Sequence, residues 1–361
     1  MSANPERYRA FENRTPDEKH WATREELFNA HGYNFRPRLR KDWVPSWRNT
    51  GTPAVHRSPD SVLTASQTHL IDAYTDEGKC VCIKPVGRND EESRIAQMLS
   101  TKELRSDPRN HCVPIIEIID DPEDDTTSYM VMPLLRVADS PPFQYVKEIV
   151  DFVDQVLEGL VFIHEKGVAH RDCVMRNILM DADAMYPEGF HPVHYGYKRD
   201  YSGWATYFPR SVVGVRYYFA DFGISTHISE EDPQKLVTGV LGRDQEPPEL
   251  SELVPYDPFK LDVFIMGNML RQDFYNKFAN TGFLLPLISR MTAVDPEQRV
   301  TAKEALPLWL ELREKIPIVQ REWRPRPRFE HILETAAMDT MSLWNVSTQF
   351  ALAVFEKLCG W

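Results

Sequence analysis

The sequence predicts an α+β fold in two lobes, a small β-rich N-terminal lobe and a larger helical C-terminal lobe. Two observations support this. Between residues 61 and 135, short β-prone runs alternate with turn signals: Val81-Cys82-Ile83 follows the hairpin-type turn Asp76-Glu77-Gly78, and Ser128 to Leu135 is another apolar strand. From residue 144 the period changes. Val146, Ile149, Val150, Val153, Val156, Leu157, Leu160 and Ile163 recur at helical spacing, and Gly167 marks the stop. Strands first and helices afterwards is the segregated α+β pattern. A chain of 361 residues, 42% hydrophobic, can bury a sizeable core.

Taken in order, residues 1–60 read as an N-terminal extension. Thr15-Pro16-Asp17-Glu18 is a capping box with proline at the first helical position, predicting a helix that runs to Gly32. The next stretch, RPRLRKDWVPSWRNTGTP, carries three prolines and predicts an extended arm packed by Trp43 and Trp47. Its local excess of arginine over 35–48 makes it a candidate basic patch or docking segment. A short helix is expected from Glu91 to Ser100, with Ile95, Met98 and Leu99 on one face. From 245 onward the pattern is mostly helical, and 316–361 reads as a C-terminal helical extension.

The net charge of −12 argues against nucleic acid as a partner, because phosphate-binding surfaces favour excess Lys and Arg. Five cysteines, at 80, 82, 112, 173 and 359, form no CxxC pair. They predict reduced thiols in a cytoplasmic or nuclear protein. The polar N-terminus lacks the apolar core of a secretory signal. No run approaches the roughly 18 apolar residues of a membrane span, so no membrane partner is expected.

Three segments carry chemistry. His170-Arg171-Asp172-Cys173-Val174-Met175-Arg176-Asn177 directly follows the long helix. Transfer of a phosphoryl group to a hydroxyl needs a carboxylate to orient the nucleophile and an oxygen ligand for Mg²⁺ nearby. Asp172 and Asn177 can supply both, although a turn with a capping Asp would look alike. Ala220-Asp221-Phe222-Gly223 follows the β-prone run VRYYF. A carboxylate at a strand end can ligate a metal that bridges phosphates. Lys84 ends the strand Val81-Cys82-Ile83 and needs a counter-charge. Glu92 on the following helix is the expected partner, with Glu91 the alternative.

In this order the segments resemble the signature set of eukaryotic protein kinases, over about residues 61–315. The resemblance implies a protein-kinase-like fold, with an N-lobe over 61–135 and a C-lobe over 136–315. It implies that Lys84 holds the α/β-phosphates of ATP and that Glu92 is its partner. Asp172 is then the catalytic base, Asn177 the second metal ligand and Asp221 the first. Met132 falls at the gatekeeper position, and Pro133, Leu134 and Leu135 fall where the hinge contacts adenine. Pro247-Pro248-Glu249, the stretch Leu261 to Gly267 and Asp295-Pro296-Glu297-Gln298-Arg299 resemble the family's later motifs, with Arg299 pairing with Glu249. The implied function is transfer of the γ-phosphate of ATP, with Mg²⁺, to a protein hydroxyl, Ser/Thr in preference to Tyr. The alternative is a pseudokinase scaffold. The arm RPRLRKDWVPSW and the segment Asp107 to Pro114 also resemble a group of uncharacterised fungal kinase-like proteins.

The chain departs from the family in four places. Leu63-Thr64-Ala65-Ser66-Gln67-Thr68 stands where the glycine-rich loop belongs, and backbone without glycine approaches phosphates less closely. Val174 stands where serine/threonine kinases carry lysine, while Arg176 stands where many tyrosine kinases carry arginine and could contact the γ-phosphate or the acceptor. The region Gly242 to Glu246 matches neither class. The connection from Asn177 to Asp221 is also longer than usual by about thirty residues. The extra piece, about 183–213, is rich in aromatic residues and predicts a packed excursion.

Overall fold

The computed structural model describes residues 11–49, 60, 70–229, 231, 234–331, 333–340, 342 and 343. They divide into two compact units. The first is drawn from 1–100, 113–135 and 181–208, the second from 101–112, 136–180 and 209–361. The first carries a five-stranded sheet and the second most of the helices, so the architecture is the α+β, two-lobed kinase fold.

In the first unit, helix α1 (Pro16–Thr23) starts at the expected capping box. Thr15 Oγ1 accepts the Glu18 N–H at 3.2 Å, and Glu18 Oε2 accepts the Thr15 N–H at 2.9 Å. The single helix expected to reach Gly32 is instead two, because the chain turns at Arg24 into α2 (Glu25–Ala30). The Arg24 guanidinium is held there by Asp121 at 2.8 Å and Glu123 at 2.7 Å. Strand β1 (Tyr33–Phe35) then pairs antiparallel with β2 (Ile71–Thr75), Asn34 opposite Tyr74. Gly78, at φ +79°, closes the hairpin to β3 (Cys80–Gly87). Helix α3 (Glu91–Leu99) follows, capped by Asp90, whose Oδ1 accepts the Ser93 N–H at 2.8 Å. Strands β4 (Glu117–Asp120) and β5 (Thr127–Pro133) complete the sheet, in the order β1-β2-β3-β5-β4.

The described residues of the expected extension, 11–49 and 60, therefore pack as part of this unit and supply one of its edge strands. The reason is coverage of an apolar face. Alternation along β3 sends Val81 and Ile83 to one side of the sheet, where Trp21, Phe28, Phe35 and Leu39 bury them together with Ile71, Ala73, Tyr129 and Val131. Trp21 and Phe28 pack on Tyr129 with ring centroids 5.4 and 5.1 Å away. Two arginines of the arm, Arg36 and Arg38, are buried and used internally, while Arg40 and Arg48 are exposed. Arg38 makes a bidentate pair with Glu18, at 2.7 and 3.0 Å, with both side chains fully buried. Arg36 pairs with Asp72 at 3.0 Å, also buried. Trp43 and Trp47 meet edge to face at 6.1 Å. The expected position of the glycine-rich loop, 63–68, lies outside the described residues.

Residues 181–208 of the aromatic-rich piece also belong to this unit, and they form a packed excursion. Tyr186 and Phe190 are buried. Tyr197 stacks between Tyr201 at 4.4 Å and Trp204 at 4.5 Å. Arg199 donates to the Gly78 carbonyl at 3.2 Å and lies over the Tyr74 ring.

In the second unit, β6 (Arg136–Val137) leads to α4 (Val146–Glu165), the long helix expected. Gly167 at φ +71° ends it. Gly159 on α4 permits close packing, since a Cβ there would lie 2.7 Å from both His111 and Phe219. Strands β7 (Val168–Ala169), β8 (Ile178–Asp181), β9 (Arg216–Phe219) and β10 (Thr226–His227) make two small sheets, β6-β8-β9 and β7-β10. Strand β11 (Val237–Gly239) pairs with β12 (Ser251–Tyr256). The latter lies in the region expected to be helical, where Pro247, Pro248 and Pro255 disfavour a helix. Helix α5 (Pro258–Leu270) follows and is buried on nearly every side; α6 (Leu285–Met291) and α7 (Ala302–Glu314) come after it. Trp309 of α7 donates to Asp154 of α4 at 2.5 Å. Beyond α7, Trp323 accepts the Val146 N–H at 2.8 Å and Arg326 the Ala279 N–H at 2.7 Å, so this part of the expected C-terminal extension packs onto the unit. Residues 344–361 lie outside the described residues.

Candidate active site

In the first unit, the alternation that buries Val81 and Ile83 sends Lys84 to the other face of β3. Lys84 stands opposite Met130 and Cys82 opposite Met132. Helix α3 covers this face, with Val86, Ala96 and Met130 forming its core and Met132 packed against them. Lys84 Nζ lies 2.5 Å from Glu92 Oε1, and both side chains are largely shielded from water. Glu92 stands one turn before Ile95 and Ala96, so α3 presents a charge and an apolar patch to the same strand. Shielding makes each charge depend on the other, since a lone ammonium or carboxylate there would be costly. After β5, the Leu134 N–H donates to the Cys80 carbonyl at 3.2 Å, and Leu135 is buried. Burial pushes the Cys82 thiol up to about 12, which keeps it an inert thiol.

In the second unit, the segment 170–177 is held from below by Asp262 of α5. Asp262 is fully buried, and its carboxylate accepts the His170 N–H at 2.7 Å, the Arg171 N–H at 2.6 Å and His164 Nε2–H at 2.9 Å. These bonds satisfy the charge and fix the backbone on which Asp172 stands. Asp172 Oδ2 accepts from Asn177 Nδ2 at 2.8 Å, and the same amide reaches the Asp172 carbonyl at 3.0 Å. Asp172 Oδ1 accepts the backbone N–H of Arg243 at 2.8 Å. Both side-chain oxygens are thus fixed in direction by donors of the protein.

The Asn177 carbonyl accepts the Ala220 N–H at 2.9 Å, which sets Asp221 beside Asn177 along neighbouring strands. Asp221 is exposed and sits at φ +64°; Arg171 sits at φ +66°. Left-handed backbone is costly for residues with a Cβ and persists where the surroundings demand it, commonly at functional sites. His170 packs on Phe222 at 5.1 Å and contacts the Ala220 carbonyl at 3.1 Å, tying the two motifs together.

The donor set suits Mg²⁺. Asn177 uses its amide nitrogen on Asp172, which leaves Oδ1 as an oxygen donor, and Asp221 adds a carboxylate. Among the described residues no group of three or more His, Cys, Asp or Glu could hold a metal. Two side-chain oxygens completed by phosphate oxygens and water is the usual coordination of Mg²⁺ with a nucleotide.

Arg171 reaches the Thr226 hydroxyl at 3.3 Å, the Thr238 carbonyl at 3.0 Å and the Tyr256 hydroxyl at 3.3 Å. Glu249 and Arg299 form the expected buried pair: Arg299 is fully buried and also donates to the Lys260 carbonyl at 2.7 Å and the Ala293 carbonyl at 3.0 Å. Arg176 is exposed and makes no ion pair with Asp172; among the described residues that partner is Arg243, with Nε 3.8 Å from Oδ2. No role for Arg243 could be read from the sequence. Its signal was the unusual run Gly242 to Glu246, which named a region and no contact.

The family model for the protein kinase domain matches residues 68–279, more than half of the chain, and the chain belongs to the protein kinase family. A similar curated protein is the "Light-sensor Protein kinase" of Ceratodon purpureus, 40% identical over 74 residues. That match covers 20% of this chain, and the chain spans only 5% of that relative's length.

Proposed function

We propose that this protein is an ATP:protein phosphotransferase that moves the γ-phosphate of Mg-ATP to a protein hydroxyl, serine or threonine in preference to tyrosine. The observation that carries the proposal is the state of Asp172. It is a nearly buried carboxylate whose two oxygens are aimed by the Asn177 amide and the Arg243 N–H, on a backbone tied to Asp262. In this reading Asp172 orients the acceptor hydroxyl and takes its proton. Lys84, held by Glu92, meets the α/β-phosphates, and Met132, Leu134 and Leu135 border the adenine. Asn177 and Asp221 hold Mg²⁺, which when bound neutralises phosphate charge. Arg176, exposed on the same segment, is available to the acceptor or the γ-phosphate.

The absent glycines at Leu63 to Thr68 favour a second reading, a pseudokinase scaffold with weak turnover or none. The retained Lys84, Asp172, Asn177 and Asp221 oppose it, because a scaffold needs none of them. The substrate is a protein and not a nucleic acid, in keeping with the charge of −12. Among the described residues no helix is long and apolar enough to cross a membrane. Free Cys80, Cys82, Cys112 and Cys173 fit a cytoplasmic or nuclear setting. From the likeness of residues 107–114 and of the arm we infer kinship with fungal kinase-like proteins.

Purified protein with millimolar Mg-ATP and a mixed peptide library tests the proposal, with phosphoamino-acid analysis reading the acceptor. Transfer to peptide supports it. Nucleotide binding with no transfer under any condition supports the scaffold.

A further inference from the structure

We infer that Arg243 is the cation that stabilises the transferring phosphoryl group, standing in for the lysine that the 170–177 segment lacks. The inference rests on the phosphotransferase reading above. At Val174 that segment offers an apolar side chain, and its Arg176 is exposed and makes no ion pair with Asp172. The structure supplies positive charge beside Asp172 from the run after β11. The Arg243 N–H donates to Asp172 Oδ1 at 2.8 Å, and its guanidinium Nε lies 3.8 Å from Oδ2.

The backbone is built for this approach. Gly242 sits at φ +124°, and a Cβ there would lie 3.1 Å from the Arg171 carbonyl and 3.6 Å from Asp172 Oδ1. The positive φ and the tight approach to the Arg171 carbonyl favour glycine at this turn. The turn is pinned on its far side. Gln245 Nε2 donates to the Gly242 and Val240 carbonyls at 2.8 and 3.0 Å, and Asp244 accepts from the buried Asn268 of α5 at 2.6 Å. The Arg243 side chain itself remains 54% exposed. Its root is fixed and its tip is free to meet a ligand.

The chemistry follows from the distances. The acceptor oxygen must lie within hydrogen-bonding reach of Asp172, and phosphorus bonds to that oxygen. The new O–P bond forms as the bond from phosphorus to the β,γ-bridging oxygen breaks. The hydroxyl proton passes to Asp172, and ADP leaves with the electron pair. Arg243 keeps its proton throughout and supplies charge to the equatorial oxygens, for which a planar guanidinium is suited. Because its contact with Asp172 is long and half exposed, the guanidinium can turn to the phosphoryl group at little cost.

The test compares the parent with Arg243→Ala, Arg243→Lys and the double variant Arg243→Ala/Val174→Lys. Alanine keeps the N–H to Asp172 and removes only the side chain. We expect kcat to fall about a hundredfold to a thousandfold, the range for loss of one transition-state donor, with the KM for ATP and the melting temperature unchanged. Lysine at 243 should retain part of the rate, and lysine at 174 should restore part of it. A rise in rate would overturn the inference, since Arg243 would then be masking Asp172. A change confined to peptide KM would overturn it too. A parent with no transfer defeats the phosphotransferase reading, and Arg243 is then decided by affinity for Mg-ADP with aluminium fluoride. Tighter binding of that mimic than of ADP, lost in Arg243→Ala, supports the role; equal binding in both proteins refutes it.

Discussion

Asp262 and Arg299 show what single buried charges do in this molecule: each is fully shielded, and each ties down backbone by several hydrogen bonds at once. For Arg299 the neutralising partner is Glu249. Glu249→Ala would leave a guanidinium buried without a counter-charge, at a cost of about 3–5 kcal/mol. Urea denaturation should show this as a lower midpoint with an unchanged slope; a parent-like midpoint would mean that the pair is not a structural tie. His111 gives the pH dependence. It is buried, and desolvation lowers its pKa to about 4, although Nδ1–H donates to the Tyr217 carbonyl at 2.8 Å. Glu158 is 4.0 Å from its other nitrogen, and Arg105 and Arg216 push the pKa further down. The folded pKa lies below the unfolded value of about 6.5. The unfolded chain therefore takes the proton first. The His111 contribution is whole above about pH 6.5 and is lost as pH falls towards 4, on the order of 3 kcal/mol in all. Stability measured from pH 7.5 to 4.5 should fall more steeply for the parent than for His111→Asn. At this scale the sequence was most informative where partners are close along the chain or belong to known motifs, as with Lys84 and Glu92. The contact of Arg243 with Asp172 spans 71 residues and depends on a glycine-hinged turn, so spacing alone could not reveal it.

The elements were legible in proportion to their periodicity. Helix α4 matched its apolar repeat, and α3 and β3 fell where expected. The hardest was β1, a strand of three residues, Tyr33–Phe35, pairing with a strand more than thirty positions later. A run so short has no period to read, and the prolines after it suggested an arm. Its place is set by the hydrophobic effect: the β3 face bearing Val81 and Ile83 needs cover, and α1 and α2 provide it. The buried Arg38–Glu18 pair fastens α1 to the turn Pro37–Leu39. Glu18→Ala should destabilise the first unit by about 3–5 kcal/mol. Hydrogen exchange should show faster exchange of the β1 and β2 amides, with the amides of α5 unaffected. Uniform exchange across both units would mean that the extension is incidental to the sheet. Strand β12 was also misread, because its pairing partner, β11, lies in an irregular part of the chain.

At the scale of the molecule, the sheet-bearing unit carries Lys84 and Glu92, and the helical unit carries Asp172, Asn177 and Asp221. This division was legible because each motif sits next to a strongly patterned element, the strand before Lys84 and the helix before His170. In the proposed reaction Asp172 does chemistry and does not hold nucleotide, whereas Asp221 does hold it through Mg²⁺. Nucleotide that binds the folded state raises stability by mass action, about 2.7 kcal/mol at a hundred times the dissociation constant. The most direct measurement therefore pairs a Mg-ATP thermal-shift titration with γ-phosphate transfer for the parent, Asp172→Ala and Asp221→Ala. The expected outcome is transfer by the parent alone, the same Mg-ATP shift in the parent and Asp172→Ala, and a weaker shift in Asp221→Ala. Undiminished transfer by Asp172→Ala would contradict it, as would a parent that neither binds Mg-ATP nor transfers phosphate.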